Sequence, residues 1–174
     1  MLCPTVHSLL SPVFSARATI VGIDGLDNCR KTSLAARIAG HTGHQVINLD
    51  SMLDRNRGSY VDFIDIDALR LAAEGKKVVI EGVCLLRVLE RAELDPDLLI
   101  YVKRNRHQLW ADEDELGLNE PLEAHLERLR QFSAMLRGLE KPESGLGLGE
   151  EIIRYHHEFR PHERADITYV WNDC

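Results

Sequence analysis

The stretch "ATIVGIDGLDNCRKTSLAARIAG", residues 18–40, decides the fold, because a glycine-containing connection there joins an apolar run to a helical pattern. The connection nearly matches a phosphate-binding loop, in which Gly, four residues and Gly precede Lys and then Ser or Thr. Counting from Gly25, Lys31 and Thr32 stand in the required places, but Arg30 replaces the second glycine. The alternative is an ordinary strand-turn-helix connection with Lys31 solvated in the first helical turn.

A loop of this kind holds phosphate through several groups at once. Backbone N–H groups surround the oxygens, the next helix adds its N-terminal dipole, the lysine reaches the outer phosphates, and the hydroxyl residue ligates Mg²⁺. We therefore expect Lys31 to act on the phosphates and Thr32 on the metal. The residues expected to contact the nucleotide are Gly25, Asp27, Asn28, Cys29, Arg30, Lys31, Thr32 and Ser33.

Arg30 leaves three interpretations open. If its position needs a positive φ angle, a side chain there costs on the order of 1–2 kcal/mol, which the fold could absorb. Its guanidinium could instead bind a phosphate through paired N–H donors. Equally, the side chain could block the site.

Working outward from the loop, five apolar runs rich in β-branched residues predict strands. Because these runs are apolar throughout, they suit parallel strands that helices cover on both faces. Helical patterns lie between them and end near Gly40 and Gly75. The alternation predicts a three-layer α/β/α sandwich. The runs span residues 18–23, 44–49, 76–81, 97–102 and 166–171.

Beyond the fourth run, the chain becomes charged and then helical, which predicts a lid-like region of about residues 103–149. An amphipathic helix is expected between Asn119 and Gly138, with Pro121 in its first turn. A flexible joint and a last helix of about residues 150–159 follow. The adjacent His156 and His157 are expected to be a solvated pair, since neighbouring helical residues point in different directions.

Two acids stand at predicted strand ends. Glu81 closes the third run and Asp50 follows the second. In parallel α/β sheets, ligands lie beyond the carboxyl ends of the strands, and a carboxylate there can hold Mg²⁺. The alternatives are a strand-end acid that caps the next turn for Glu81 and a helix cap for Asp50. Other acids crowd the same region, namely Asp54, Asp62, Asp65 and Asp67.

The loop "GLDNCRKT" resembles that of thymidylate kinases, which reads Gly-Leu-Asp, a few variable residues, Lys and a hydroxyl residue. The residues that match are Gly25, Leu26, Asp27, Lys31 and Thr32, whereas Arg30 does not fit. The resemblance implies that Asp27 contacts the phosphate acceptor. The alternative is an exposed loop aspartate.

"KKVVIEGVCLL" is similar to a strand of uridine kinases that ends in Glu-Gly, here Glu81 and Gly82, and the tail resembles theirs at Ala165, Asp166 and Ile167. The resemblance implies a P-loop NTPase sheet of five parallel strands in the order 2-3-1-4-5. It also implies ATP and Mg²⁺ as cofactors and Asp50 as the residue that takes the proton from the attacking hydroxyl. The metal would be held by Thr32 and Glu81.

A kinase also needs cations near the transferred phosphate. Arg104 and Arg106, just past the fourth run, are the candidates, and a solvated charged face is the alternative. The arginine-rich lid motif of uridine kinases has no clean counterpart here.

The composition of the chain limits the partners and the cellular location that we expect for the protein. Basic residues number 21 against 28 acidic ones, a net charge of −7, which argues against a nucleic-acid partner. The four cysteines form no C-x-x-C pair, which suggests reduced thiols and a cytoplasmic protein. No apolar run reaches the roughly 20 residues that span a bilayer, so no membrane partner is expected. Residues 1–174 are expected to form one domain with an irregular lead-in at 1–17, and the oligomeric state is not predicted.

Together these features predict a small-molecule kinase that transfers the γ-phosphoryl group of ATP to a nucleoside- or nucleotide-like acceptor. A nucleotide-binding or regulatory protein that keeps the fold without turnover is the first alternative, because Arg30 and the missing lid motif would both explain it. An interaction module that binds no nucleotide is the second.

Overall fold

A computed structural model describes residues 1–3, 5–53, 59–107, 109–138 and 147–172. Seven strands in this part of the chain form one sheet. Six of the strands are parallel to their neighbours, and the short β6 runs antiparallel to β5. The strands are β1 (Leu2–Cys3), β2 (Ile20–Asp24), β3 (Gln45–Asn48), β4 (Val78–Glu81), β5 (Leu98–Arg106), β6 (Leu109–Trp110) and β7 (Ile167–Asn172).

The expected three-layer sandwich with a parallel sheet is confirmed, but the five-strand count and its order need correction. The sheet follows the path β1-β7-β5-β2-β4-β3, with β6 paired to β5. The five expected runs form its β3-β4-β2-β5-β7 portion, in which their order is the expected 2-3-1-4-5, and the added strands change the order of the whole sheet. The difference arises because β1 extends the edge beyond β7 and because β5 is long enough to turn back into β6.

Helices cover both faces of the sheet. One apolar core joins α1 and α2 to the sheet, and the other joins it to α4, α5, α7 and α8. The helices are α1 (Val6–Ala16), α2 (Lys31–Thr42), α3 (Tyr60–Phe63), α4 (Ile66–Ala73), α5 (Leu85–Ala92), α6 (Glu113–Leu116), α7 (Leu122–Leu136), α8 (Leu148–Phe159) and α9 (Pro161–Arg164), and a 3₁₀ turn spans Leu49–Met52.

The irregular lead-in expected at residues 1–17 is wrong, because β1 and α1 occupy most of it. A capping box starts the helix, in which Thr5 and Ser8 each bond the other's backbone N–H. Four apolar side chains at helical spacing are buried against the sheet, and their burial outweighs the interruption by Pro12 inside the helix. They are Val6, Leu9, Leu10 and Val13.

The amphipathic helix expected after Asn119 exists as α7, with Pro121 as its N-cap residue and Gly138 just past its end. Only part of its apolar stripe is covered. Leu126 is buried, whereas Phe132 is 54% and Leu136 is 70% exposed. Most of the expected flexible joint lies outside the described residues.

Gly82, which follows β4, lies against Leu49. A Cβ atom on Gly82 would be 2.7 Å from Cδ1 and 2.9 Å from Cβ of Leu49. We therefore expect Gly82→Ala to lower the free energy of unfolding by about 1–3 kcal/mol. The matched control is Gly40→Ala in α2, where the added methyl group meets nothing within 4 Å. This change should raise the free energy of unfolding by up to about 1 kcal/mol. Urea unfolding measures both free energies. If Gly82→Ala were as stable as the wild type, the Leu49 side chain would move to accommodate the methyl group without loss of stability.

Candidate functional site

The connection between β2 and α2, residues 25–30, is tightly wound. Three of its residues have positive φ angles, which are 150° at Gly25, 57° at Asn28 and 65° at Arg30. A Cβ atom on Gly25 would lie 2.9 Å from the carbonyl oxygen of Val102 and 2.9 Å from the sulfur of Cys29. The loop therefore presses against β5, and its first glycine is required by close approach.

Arg30 occupies the left-handed region that the missing glycine would adopt freely. Its guanidinium carbon lies 4.7 Å from the ring centroid of Trp171 in β7. The side chain is exposed and extends toward the end of β7. A guanidinium held over this indole does not fill the loop, so blockage by Arg30 is not observed.

Lys31 lies inside the loop, with only 6% of its surface exposed. Its Nζ donates a hydrogen bond to the carbonyl oxygen of Leu26 at 2.6 Å and lies 3.8 Å from Sγ of Cys29. The alternative of a solvated first-turn lysine is therefore wrong. The loop wraps around an ammonium group.

The backbone at the start of α2 offers unused donors. The N–H groups of residues 29, 30, 32 and 33 make no hydrogen bond to any described residue, the Lys31 N–H faces the sulfur of Cys29, and no side chain caps the helix. Cys29 and Lys31 are buried, while Thr32 and Ser33 are exposed. Such a cluster of N–H groups at a helix N-terminus attracts anions.

Thr32, in the first turn of α2, contacts Glu81 at the carboxyl end of β4. The hydroxyl of Thr32 donates to Oε1 of Glu81 at 2.8 Å. Glu81 is 2% exposed, and burial raises the pKa of its carboxyl while the Thr32 hydrogen bond opposes that rise. In the described residues, no group of three or more His, Cys, Asp or Glu could hold a metal ion. A hydroxyl and one carboxylate suit Mg²⁺, which keeps several of its waters.

Asp50 lies in the 3₁₀ turn directly after β3, on the same edge of the sheet. Its Oδ1 accepts a hydrogen bond of 2.7 Å from the hydroxyl of Tyr60. The cap of that turn is Asn48, whose side chain accepts from the Asp50 N–H at 2.8 Å. Burial and the contact with Asp50 raise the pKa of Tyr60, so its hydroxyl stays protonated and donates. The neighbouring Asp54 lies outside the described residues.

The two candidate lid arginines differ. Arg104 donates from Nε at 3.0 Å and from a terminal nitrogen at 2.5 Å to the buried Oδ1 of Asp112. It also lines a cavity of about 540 Å³ together with Asp27 and Asn28. Arg106 ends β5 and is exposed. The structure thus brings Arg104, but not Arg106, into a cavity shared with the loop.

Asp24 and Tyr155 are part of this site and were missed from the sequence. Asp24 ends β2, is fully buried, and accepts hydrogen bonds from the Tyr155 hydroxyl and from the Gly25 N–H, the latter at 2.7 Å. Burial raises its pKa to about 6. The available signal was an acid directly before Gly25 at a strand end, whereas nothing local marks Tyr155.

The expectation of a solvated histidine pair is wrong for His156, which is fully buried. Its Nδ1 lies 2.8 Å from the carbonyl oxygen of Ile152, so Nδ1 carries the proton and Nε2 accepts from the Tyr101 hydroxyl at 3.0 Å. Burial lowers the pKa of His156 to about 4. The half-buried His157 bonds the carbonyl oxygen of Leu116 at 3.0 Å.

Asp24 and His156 should have opposite effects on the pH dependence of stability. The raised pKa of Asp24 gives stability that is lost as pH rises from 3.8 to about 6. The lowered pKa of His156 gives stability that is lost as pH falls from 6.5 to about 4. The wild-type dependence should therefore be shallow in this window.

We expect Asp24→Asn to expose the histidine effect alone. Relative to the wild type, the variant should gain about 3 kcal/mol between pH 4 and pH 7, since one pKa unit corresponds to about 1.4 kcal/mol. Urea unfolding at both pH values measures this gain. Asp67→Asn is the control, because the Asp67 side chain is 94% exposed. A gain no larger than that of the control would mean that Asp24 does not titrate as described.

Comparisons with known proteins identify the fold. No protein-family model and no curated protein matches this sequence. A solved possible uridine kinase from Bacillus stearothermophilus is similar, with a TM-score of 0.52, 15% identity, and coverage of 94% of this chain and 96% of the other. This likeness shows that the chain shares the fold of that solved structure.

Two solved structures show weaker likeness. A shikimate kinase from Bacteroides thetaiotaomicron has a TM-score of 0.44 and 16% identity, covering 88% of this chain and 86% of the other. An uncharacterized protein from Eubacterium ventriosum has a TM-score of 0.39 and 15% identity, covering 88% of each chain.

None of the described helices has the length and apolar character needed to cross a membrane.

Proposed function

We propose that this protein is an ATP-dependent kinase that transfers the γ-phosphoryl group to a nucleoside- or nucleotide-like small molecule. One observation carries the proposal. A buried lysine inside a wound loop stands beside unused backbone N–H groups and a hydroxyl-carboxylate pair at the carboxyl edge of a parallel sheet. Triphosphate and Mg²⁺ need cationic, N–H and oxygen groups together.

In this proposal the N–H groups of residues 29–33 bind the phosphate oxygens, and Lys31 exchanges its bond to the Leu26 carbonyl for one to a phosphate. Thr32 and Glu81 would hold Mg²⁺, which would supply positive charge beside the phosphate oxygens. The second glycine is not required for this binding, because Arg30 already adopts a φ of 65°.

The acceptor is proposed to bind beside Asp50, which would orient its hydroxyl and take up the proton released on transfer. Tyr60 supports this assignment, since it both bonds Asp50 and lines a cavity of about 1230 Å³. Residues 54–58, which follow the 3₁₀ turn of Asp50 in the sequence, lie outside the described part of the chain. Asp27, exposed beside Arg104, remains a second candidate for contact with the acceptor.

A nucleotide-binding protein without turnover is the second candidate. The observation that favours it is the ion pair between Arg104 and the buried Asp112, which holds the guanidinium within the protein. A cation tied in this way contributes less to a developing charge on the transferred group than one directed at it.

Titration calorimetry with Mg·ATP, followed by transfer assays over a panel of nucleosides and nucleotides, tests the proposal. Binding with transfer to at least one acceptor is the expected result. Binding without hydrolysis or transfer would favour the second candidate. A flat trace from well-folded protein would remove both nucleotide functions and leave an interaction module.

A further inference from the structure

Arg30 and Trp171 form an exposed stack beside the loop. The guanidinium lies over the indole, with its carbon 4.7 Å from the ring centroid. Arg30 is exposed and Trp171 is half-buried. Within the described residues, no carboxylate forms an ion pair with Arg30, so the indole is the partner that orients this cation.

The stack has a defined position relative to the phosphate site. Arg30 and Lys31 are consecutive, and their Cα atoms are therefore about 3.8 Å apart. Their side chains diverge, because Lys31 enters the loop while Arg30 extends to β7. Trp171 pairs in register with Arg104 near the carboxyl ends of β7 and β5. The stack thus flanks the N–H cluster on the side of β7.

The chemistry of the stack suits a planar aromatic ring. A guanidinium is flat and weakly hydrated, and it stacks on π-systems. The guanidinium lies over the indole and the Arg30 side chain is exposed, so the side of the guanidinium turned away from the indole is available to a ligand. The left-handed backbone at Arg30 is strained for a residue with a side chain, and the cation–π contact offsets part of that strain in the folded protein. An arginine in this arrangement is oriented before any ligand arrives.

We infer that Arg30 and Trp171 form the binding surface for the nucleobase of the phosphate donor, which stacks on the guanidinium while its phosphates occupy the loop. This inference rests on the proposed nucleotide-binding function. Stacking contacts the face of a base and does not read its edge, so the surface tolerates different bases. ATP and GTP should therefore bind with affinities within about threefold of each other.

The two tryptophans of the chain permit a direct test. In a Trp110→Phe protein the remaining tryptophan fluorescence comes from Trp171, and the cation that lies over Trp110 is Lys103 and not Arg30. Titration with Mg·ATP or Mg·GTP should change this fluorescence, and Mg-bound inorganic triphosphate should not. Calorimetry should show both nucleotides binding at least about tenfold more tightly than triphosphate.

Arg30→Gly and Trp171→Leu should each lower ATP affinity toward that of triphosphate and leave triphosphate affinity unchanged. Arg30→Gly relieves backbone strain, which keeps the test valid if Trp171→Leu fails to fold. A loss of affinity for triphosphate in Arg30→Gly would instead assign the guanidinium to a phosphate and overturn the inference. Equal affinities of ATP and triphosphate would also overturn it while leaving the phosphate site intact. Binding of neither ligand would remove the proposed function as well.

Discussion

Replacement of Lys31 by alanine is expected to weaken Mg·ATP binding by about 100-fold and to abolish phosphoryl transfer, while the protein stays folded. Hydrogen bonds to charged groups contribute about 1.5–3 kcal/mol, and about 1.4 kcal/mol corresponds to tenfold in affinity. The loss should be this large because Lys31 is the cation that the loop encloses, with 6% of its surface exposed. Calorimetry measures the affinity, and a coupled assay measures the transfer.

Two further variants make the result interpretable. Lys31→Met keeps the aliphatic packing of the buried side chain and should lose binding to a similar extent. Lys76→Ala removes an exposed lysine in the turn before β4 and should leave binding unchanged. Undiminished transfer by the Lys31 variants would mean that the loop does not hold the triphosphate.

Replacement of Asp50 by asparagine is expected to lower kcat by a factor on the order of 10²–10⁴ and to leave the dissociation constant for Mg·ATP within about twofold. Asparagine can still accept the hydrogen bond from Tyr60, but it cannot take a proton from the acceptor hydroxyl. Initial rates at saturating ATP, with the first productive acceptor of the panel, measure the effect.

Asp62→Asn is the matched control, because Asp62 is another acid of the same region whose side chain is 55% exposed and paired with Arg91. This variant should keep the wild-type kcat. If Asp62→Asn lost turnover and Asp50→Asn retained it, the assignment of the proton-accepting residue would pass to Asp62. A parallel loss in both would indicate a general disturbance around α3.

The parts of the fold that could be predicted are those whose signal is local. Each buried strand is an apolar run, and the loop spacing around Lys31 and Thr32 is contained within a few residues. The edge strand β1 was not predictable in this way, since two residues carry no periodicity. Pro4 and Pro12 also obscured α1, whose buried apolar stripe is visible only when the proline is tolerated inside the helix.

The candidate site was only partly predictable for a similar reason. The Thr32–Glu81 bond joins residues 49 apart, and a strand-end acid gave a sufficient hint. The hydrogen bond between Tyr155 and Asp24 joins residues 131 positions apart, and no local sequence pattern near either residue predicts it. The burial of His156 depends on which face α8 presents to Tyr101, which a pair of adjacent histidines does not reveal.

The position of β2 in the sheet has a consequence for biosynthesis. This central strand pairs on one side with β4, beginning at Val78, and on the other with β5, beginning at Leu98. Both partner strands leave the ribosome long after β2 does, and strands that are far apart in the sequence pair slowly. We therefore expect the nascent chain to form the wound connection between β2 and α2 late in translation, once β5 has emerged to pair with β2.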